Sequence, residues 1–448
     1  MRIEAVHKGG ANVKKIRQNV IRFLKKYQMD YLDVDLDKNV KAFLKEMEKG
    51  LSGKKSTLEM IPTYIDTDKE IPINKSVLAI DAGGTNFRVA AVHFNEEKKP
   101  VIENLKSYPM PGVKEEVSKD RFFEMMAGYI KDVVGSHQGI GFCFSYPTEV
   151  FPNRDGRVIL LCKEVKAKEV EGQLIGENLN SALVSIGLTG GKHIVLLNDT
   201  VATLLAGVGY KNRSFGSYIG FILGTGTNCC YVEQNRNIKK TTNLDLLKSQ
   251  IINTESGNFG QIKQGKIDAA FDKSTLDPGI HTFEKMISGA YLGPLCLSVI
   301  HRAAKEKLFS KKAGAAMEKI EKLETKDVND FMHYPGGAGN ILAKACTEGN
   351  EDDTTMMYYL VDRLTERAAK LAAINLSAIA IKSGTGGNPC QPICIVAEGT
   401  TFYQMKTLKS RVEFYLKQYL ENKLGIYYDI VSVENATLIG AAIAVLTN

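Results

Sequence analysis

Ser76-Val77-Leu78-Ala79-Ile80-Asp81-Ala82-Gly83-Gly84-Thr85-Asn86-Phe87-Arg88-Val89-Ala90-Ala91-Val92 joins two apolar, β-rich runs through a short Asp/Gly/Thr/Asn cluster. The pattern returns 142 residues later in Tyr218-Ile219-Gly220-Phe221-Ile222-Leu223-Gly224-Thr225-Gly226-Thr227-Asn228-Cys229-Cys230-Tyr231-Val232. Each reads as strand, tight glycine turn, strand. Glycines let a backbone turn sharply and approach an anion, while neighbouring N–H groups and a Thr hydroxyl offer donors. One such hairpin is an ordinary turn. Two matched copies predict a duplicated lobe with a nucleotide held between the halves, and hence phosphoryl transfer.

Two other phosphate loops are excluded. A Walker loop needs its glycines followed by Lys-Ser/Thr and a helix, and neither hairpin has that. Gly190-Gly191-Lys192 runs into His193 and an apolar strand, Ile194–Leu197, and is a turn. A dinucleotide fingerprint must open a helix, whereas β-branched residues follow here at once.

A chain of 448 residues is too long for one compact core and predicts two lobes. The net charge of +7 is spread along the chain, apart from lysine-rich helices near Lys14–Lys26 and Lys305–Lys322. These read as solvated faces and not as nucleic-acid surfaces; a mildly basic surface suits an anionic nucleotide. Eight cysteines lack framework spacing, and Cys143, Cys229 and Cys230 sit in apolar runs, as reduced thiols of a cytoplasmic protein do. Cys390 and Cys394 have no second pair to complete a zinc site. No signal peptide and no membrane span are expected.

Helical periodicity covers Asn12 to Met47, a loop covers Gly50 to Lys75, and strands alternate with helices from Val77 to Leu197. After the second hairpin, helices are predicted over Thr282–Leu308, Lys311–Lys322 and Thr355–Lys382, then a strand over Ile393–Ala397. The small apolar residues from Ala436 to Leu446 predict a closely packing terminal helix.

Leu197-Asn198-Asp199-Thr200 ends a strand and opens a helix, with Asp199 or Thr200 as the expected cap. It falls between the two hairpins, and kinase chemistry needs a carboxylate there to take the proton of the attacking hydroxyl. Asp199 is the candidate. Ser145, Asn198, Glu255 and Glu284 lie in turns or at element ends, and together they suit a polyhydroxyl ligand.

With these motifs in order, the chain resembles the hexokinase family over more than nine-tenths of its length. The resemblance rests on Gly50-Leu51-Ser52, Met60–Tyr64, Asp81–Arg88, Gly141–Pro147, Leu197–Thr200, Gly224–Asn228, Asn253–Glu255 and Phe283–Gly289. It implies an α/β, duplicated actin-like (ribonuclease H-like) ATPase fold with two lobes around a cleft. A small lobe would span 66–200 plus 430–448, and a large lobe 1–65 plus 201–429. It further implies ATP-dependent phosphorylation of a hexose, D-glucose foremost, at the 6-hydroxyl, the first step of glycolysis. The lobes would close on the sugar.

By the same resemblance Asp199 is the base, and Lys163 helps offset charge on the phosphoryl group. Ser145, Cys162, Lys163, Asn198, Asp199, Asn228, Glu255 and Glu284 contact the sugar. Asp81, Gly83, Gly84, Thr85, Asn86, Arg88, Thr225, Gly226, Gly399 and Thr400 hold ATP, with Asp81 also near Mg2+ through water. The implied partners are a hexose and Mg-ATP, with no nucleic acid and no membrane; no oligomeric state follows. Three departures bear on sugar choice: Cys162 stands for the usual Thr, Ser256 for a common Trp, and His281 for a usual Gln. A kinase for mannose, fructose or an N-acetylhexosamine, a sugar sensor with little turnover, and an actin-like ATPase are the alternatives.

Overall fold

The computed structural model describes residues 2–135, 137, 139–161, 165–209 and 214–448, with side chains from Asn12 onward. Both glycine clusters are hairpin turns. Val77–Ala82 pairs antiparallel with Asn86–Phe94, and Ser217–Leu223 with Thr227–Gln234. Each hairpin starts a sheet of the same topology. In the five-stranded sheet, Pro100–Pro109 extends the hairpin on one edge, while Gly139–Phe144 and His193–Leu197 add parallel strands on the other. In the six-stranded sheet, Ser249–Asn253 extends the hairpin on the antiparallel side with the short Ile61–Pro62 at the edge beyond it, and Ile393–Glu398 and Tyr428–Val431 add in parallel. This is the duplicated actin-like α/β fold.

The C-terminal helix Ala436–Thr447 and the helix Asp199–Val208 join the halves through backbone contacts. A Cβ on Gly440 would lie 1.9 Å from the Ala202 carbonyl oxygen, and one on Gly141 would lie 1.8 Å from that of Ala441. On the other side, a Cβ on Gly220 would sit 2.3 Å from the Thr200 carbonyl oxygen. Sheet, helix, helix and sheet thus stack at backbone distance. Gly440→Ala is expected to lower stability by about 1–3 kcal/mol through overpacking. An unchanged urea midpoint would show that this contact yields without cost.

Where local periodicity misplaced elements, long-range contacts explain the difference. The N-terminal helical stretch is two helices, Arg2–Lys26 and Leu36–Leu51. Gln28 turns left-handed (φ +58°), and Asp35 caps the second helix by accepting from Lys38 N–H. The expected helix over 282–308 is broken between Glu284–Ile287 and Leu292–Lys305. There the chain leaves the helix so that Gly289 and Ala290 N–H groups donate to the Gly224 and Thr225 carbonyls, at 2.8 and 3.0 Å. The helix from Lys311 ends at Met317 rather than Lys322, and Ile320 and Leu323 drop into the large hydrophobic core. Inside the expected loop 50–75, Ile61–Pro62 pairs with Ile252 and Asn253. The long helix, Glu351–Ser383, is buried over most of its length and stops at Gly384 in the left-handed region.

Candidate functional site

The strand His193–Leu197 delivers its end to a cavity of about 520 Å3 between the two sheets. Ser145, Asn198 and Asp199 line it from one side, and Asn228, Glu255 and Glu284 from the other, with Gly226 beside them. Six polar residues drawn from five separate chain segments therefore face one space. Cys162 and Lys163 lie outside the described residues.

The helix cap at this strand end is Asn198, not Asp199 or Thr200: its Oδ1 accepts from Thr200 N–H at 2.9 Å. Asp199 is the first helical residue, and its Oδ1 accepts from Thr200 N–H at 2.7 Å and from the Thr200 hydroxyl at 3.2 Å. Burial raises its pKa above the ordinary carboxylate value, as does the nearby Asp81 charge, against the hydrogen bonds from Thr200 and Ser145. A carboxylate shifted toward neutrality and held rigidly is a better proton acceptor near pH 7.

Across the cavity, Asn228 Nδ2 donates to Asn253 Oδ1 at 2.8 Å, and Asn253 Nδ2 donates to Glu255 Oε1 at 2.7 Å. Glu255 sits in the left-handed region at φ +53°. A non-glycine residue held there signals a constraint imposed by its surroundings. Burial pushes its carboxyl up to about 7, aided by the Glu59, Asp199 and Glu284 charges. Glu284 is likewise raised by burial, and its Oε2 accepts from Thr227 N–H at 2.8 Å. Four carboxylates facing one polar cavity need donors, and hydroxyls supply them.

Asn253, Glu59, Thr148 and Thr227 also line this cavity and were missed. Asn253 was legible as a polar residue ending an apolar strand two positions before Glu255; Glu59 carried no local signal. Of the three departures, His281 lines the cavity. Ser256 is fully buried and accepts from Asn375 Nδ2 at 3.2 Å, turned into the core behind the site. It is therefore not a wall residue. A Trp cannot be placed in its site without displacing Asn375.

The second hairpin turn separates this space from another. Gly224 and Thr225 line a cavity of about 1010 Å3 together with Gly289, Thr400 and Thr401, while Gly226 and Thr227 line the first. Gly399 makes this junction possible: its φ is +114°, and a Cβ there would lie 2.3 Å from the Leu223 carbonyl oxygen. Glu284 locks the other face, where a Cβ on Gly226 would meet its Oε2 at 2.7 Å.

The first hairpin is arranged differently. Asp81 and Arg88 are directly opposite in the ladder, and Arg88 Nε donates to Asp81 Oδ2 at 3.0 Å, with Thr437 also donating to that oxygen at 3.0 Å. Gly84, Thr85 and Asn86 form an exposed tip outside both cavities. Tyr146 hydroxyl donates to the Gly83 carbonyl at 2.8 Å and holds the turn's base. Among the described residues no cluster of three or more His, Cys, Asp or Glu could hold a metal. A single buried carboxylate at Asp81 fits a magnesium that arrives on a nucleotide and keeps most of its waters.

Family models described as hexokinase match residues 21–208 and 218–447. Human hexokinase-1 is 30% identical over 376 residues, 79% of this chain and 40% of its own length. Hexokinase-2 of Equus caballus is 30% identical over 382 residues, 81% of this chain and 41% of its own. The chain thus spans about 40% of the length of the curated relatives it matches. Among solved structures, a Schistosoma mansoni hexokinase complexed with glucose superposes with TM-score 0.77 at 22% identity, covering 97% of this chain and 100% of that one. A second hexokinase structure gives 0.77 at 19% identity, covering 96% and 99%. The two matched segments meet between the helix Asp199–Val208 and the second hairpin, where the two sheets divide, and on this sequence and fold the chain belongs to the hexokinase family.

Proposed function

We propose that this chain transfers the γ-phosphoryl group of Mg-ATP to the 6-hydroxyl of a hexose, D-glucose foremost, giving hexose 6-phosphate and ADP. The observation that carries the reading is the second hairpin turn, with one side on the polar cavity and the other on the larger one. Hexose occupies the smaller space, held by Ser145, Asn198, Asn228, Glu255 and Glu284. The nucleotide occupies the larger, past Thr225, Gly399 and Thr400, with its phosphates directed over the turn. Asp81, Gly83–Asn86 and Arg88 address the phosphates from the first hairpin once the lobes, 66–200 plus 430–448 against 1–65 plus 201–429, close on the sugar.

Asp199 accepts the 6-hydroxyl proton as that oxygen attacks the γ-phosphorus and the bond to ADP breaks. Magnesium, where bound, offsets charge on the transferred phosphoryl. Turn N–H groups and Lys163 serve the same end. Closing the cavity excludes water, itself a competent acceptor. Among the described residues no helix is long and apolar enough to cross a membrane, and six of seven described cysteines are buried and free, in keeping with a cytoplasmic enzyme.

The test is a panel of hexoses scored by kcat/KM with Mg-ATP. Turnover of none would reduce the protein to a sugar sensor or an ATPase. His281, which lines the cavity where the family usually carries Gln, supports a second reading: a hexose other than glucose is preferred. His281→Gln is expected to change the glucose-to-mannose ratio of kcat/KM by about 1 kcal/mol. An unchanged ratio would remove His281 from sugar reading.

A further inference from the structure

The segment 275–283 forms the cavity wall at Ile280 and His281 and leads into Glu284. Up to Phe283, whose ring is fully buried, it has little apolar burial of its own: Leu276 is 83% and Ile280 54% exposed. Such segments open locally at low cost unless something else secures them. Here a buried ammonium does. Lys285 is 1% exposed, and its Nζ lies 2.7 Å from Asp272 Oδ1, 2.7 Å from the Asp277 carbonyl and 3.1 Å from Asp277 Oδ1. All three ammonium protons have acceptors. Asp272 also takes the Gly279 N–H at 2.9 Å, and the Lys285 N–H donates to the His281 carbonyl at 3.0 Å.

A buried ion pair is weak evidence for stability, because desolvation offsets most of its attraction. What this one does is join the helix Lys266–Ser274 to both ends of a segment that apolar packing secures only at Phe283. We propose that Lys285, with Asp272 and Asp277, is a positioning residue for hexose binding: it fastens 275–283 and thereby sets His281 and Glu284 against the sugar. This rests on the hexose-kinase reading above. None of the three residues lines either cavity.

The charges facing Glu284 make the role separable from plain structure. From its own segment come His281, Lys285 and Asp277; from the 253–259 turn comes Glu255; Tyr291 lies on the following turn. Lys285 and His281 favour the ionised form of Glu284, and Asp277 opposes it. Removing Lys285 therefore raises the pKa of the Glu284 carboxyl, while removing the Asp277 charge lowers it, a difference read on Glu284 itself by 13C carboxyl titration. A structural defect would not give opposite signs.

The variants are Lys285→Met and, since that may cost folding, Asp277→Asn, whose carboxylate is 33% exposed. The purified full chain is used with glucose and Mg-ATP. Lys285→Met is expected to raise the glucose KM at least roughly tenfold with kcat and the ATP KM within about threefold, the mark of lost ground-state contacts. Asp277→Asn should raise it a few-fold and lower the Glu284 pKa. In both, amide hydrogen exchange of 275–283 without sugar should speed up while that of the long helix holds. Unchanged exchange in a folded Asp277→Asn, or glucose KM and Glu284 titration as in wild type, would overturn the proposal. Wild-type protein that phosphorylates no hexose would overturn the kinase reading and with it the positioning role. The exchange result would then speak for the fastening alone.

Discussion

Asp199→Asn is expected to lower kcat for hexose phosphorylation by a factor of about 10²–10⁴ while hexose binding stays within about threefold of wild type. That loss is the usual contribution of a positioned general base. The side chain is fixed by the Thr200 N–H and hydroxyl on Oδ1. An amide oxygen can accept both, so the substitution keeps the local geometry and removes only the ability to take a proton. Ser145 and Asn198 remain on the same cavity wall and Asn228, Glu255 and Glu284 opposite. Calorimetric glucose titration beside a coupled assay separates the two effects. A folded variant with even half the wild-type kcat would eliminate Asp199 as the base.

Glu255→Gln exchanges function for stability. Burial holds the Glu255 carboxyl up to about 7 in the folded protein, against ~4.3 for an unfolded chain. Between these values the native state binds a proton that the unfolded state has lost, so stability falls as pH rises through this window and levels off above it. At pH 8 the ionised group costs the ligand-free protein on the order of 3–4 kcal/mol by this linkage. Gln carries no such term and still accepts from Asn253, so the variant should have the higher denaturation midpoint at pH 8 and a flatter profile between pH 5 and 7. Its glucose affinity should fall at least roughly tenfold, since a charged acceptor is lost. The same linkage makes wild-type glucose binding weaken as pH drops below about 7, with proton release on binding. If Glu255→Gln and wild type show the same pH profile of stability, the carboxylate is not held at a cost, and its role as a poised acceptor fails.

These two residues also show how far the sequence alone reaches. Asp199 could be singled out because a strand end, a helix start and two flanking glycine hairpins are all written in contiguous residues, and turn chemistry is local. The same holds for the duplication, for the terminal helix of small residues, and for Ser145, Asn198, Asn228, Glu255 and Glu284 as polar residues at element ends. Hydrophobic periodicity and turn composition act within a window of about 10–18 residues, so they showed the duplication and named much of the polar cavity lining, while the actin-like fold followed from the family resemblance.

Contacts between distant segments decided the rest. The helix expected over 282–308 breaks because Gly289 and Ala290 donate to the Gly224 and Thr225 carbonyls, and a pattern read along one segment cannot register a partner more than sixty residues away. Ser256, which stood next to Glu255 as a candidate sugar reader, is turned into the core by Asn375 of the long helix. Lys285 drew no reading from the sequence beyond its place in the motif beside Glu284, yet three oxygens from Asp272 and Asp277 enclose it. Whether a polar side chain faces a cavity, a core or solvent depends on what packs against its element from elsewhere in the chain. That packing exists only once the two lobes and their joining helices have come together.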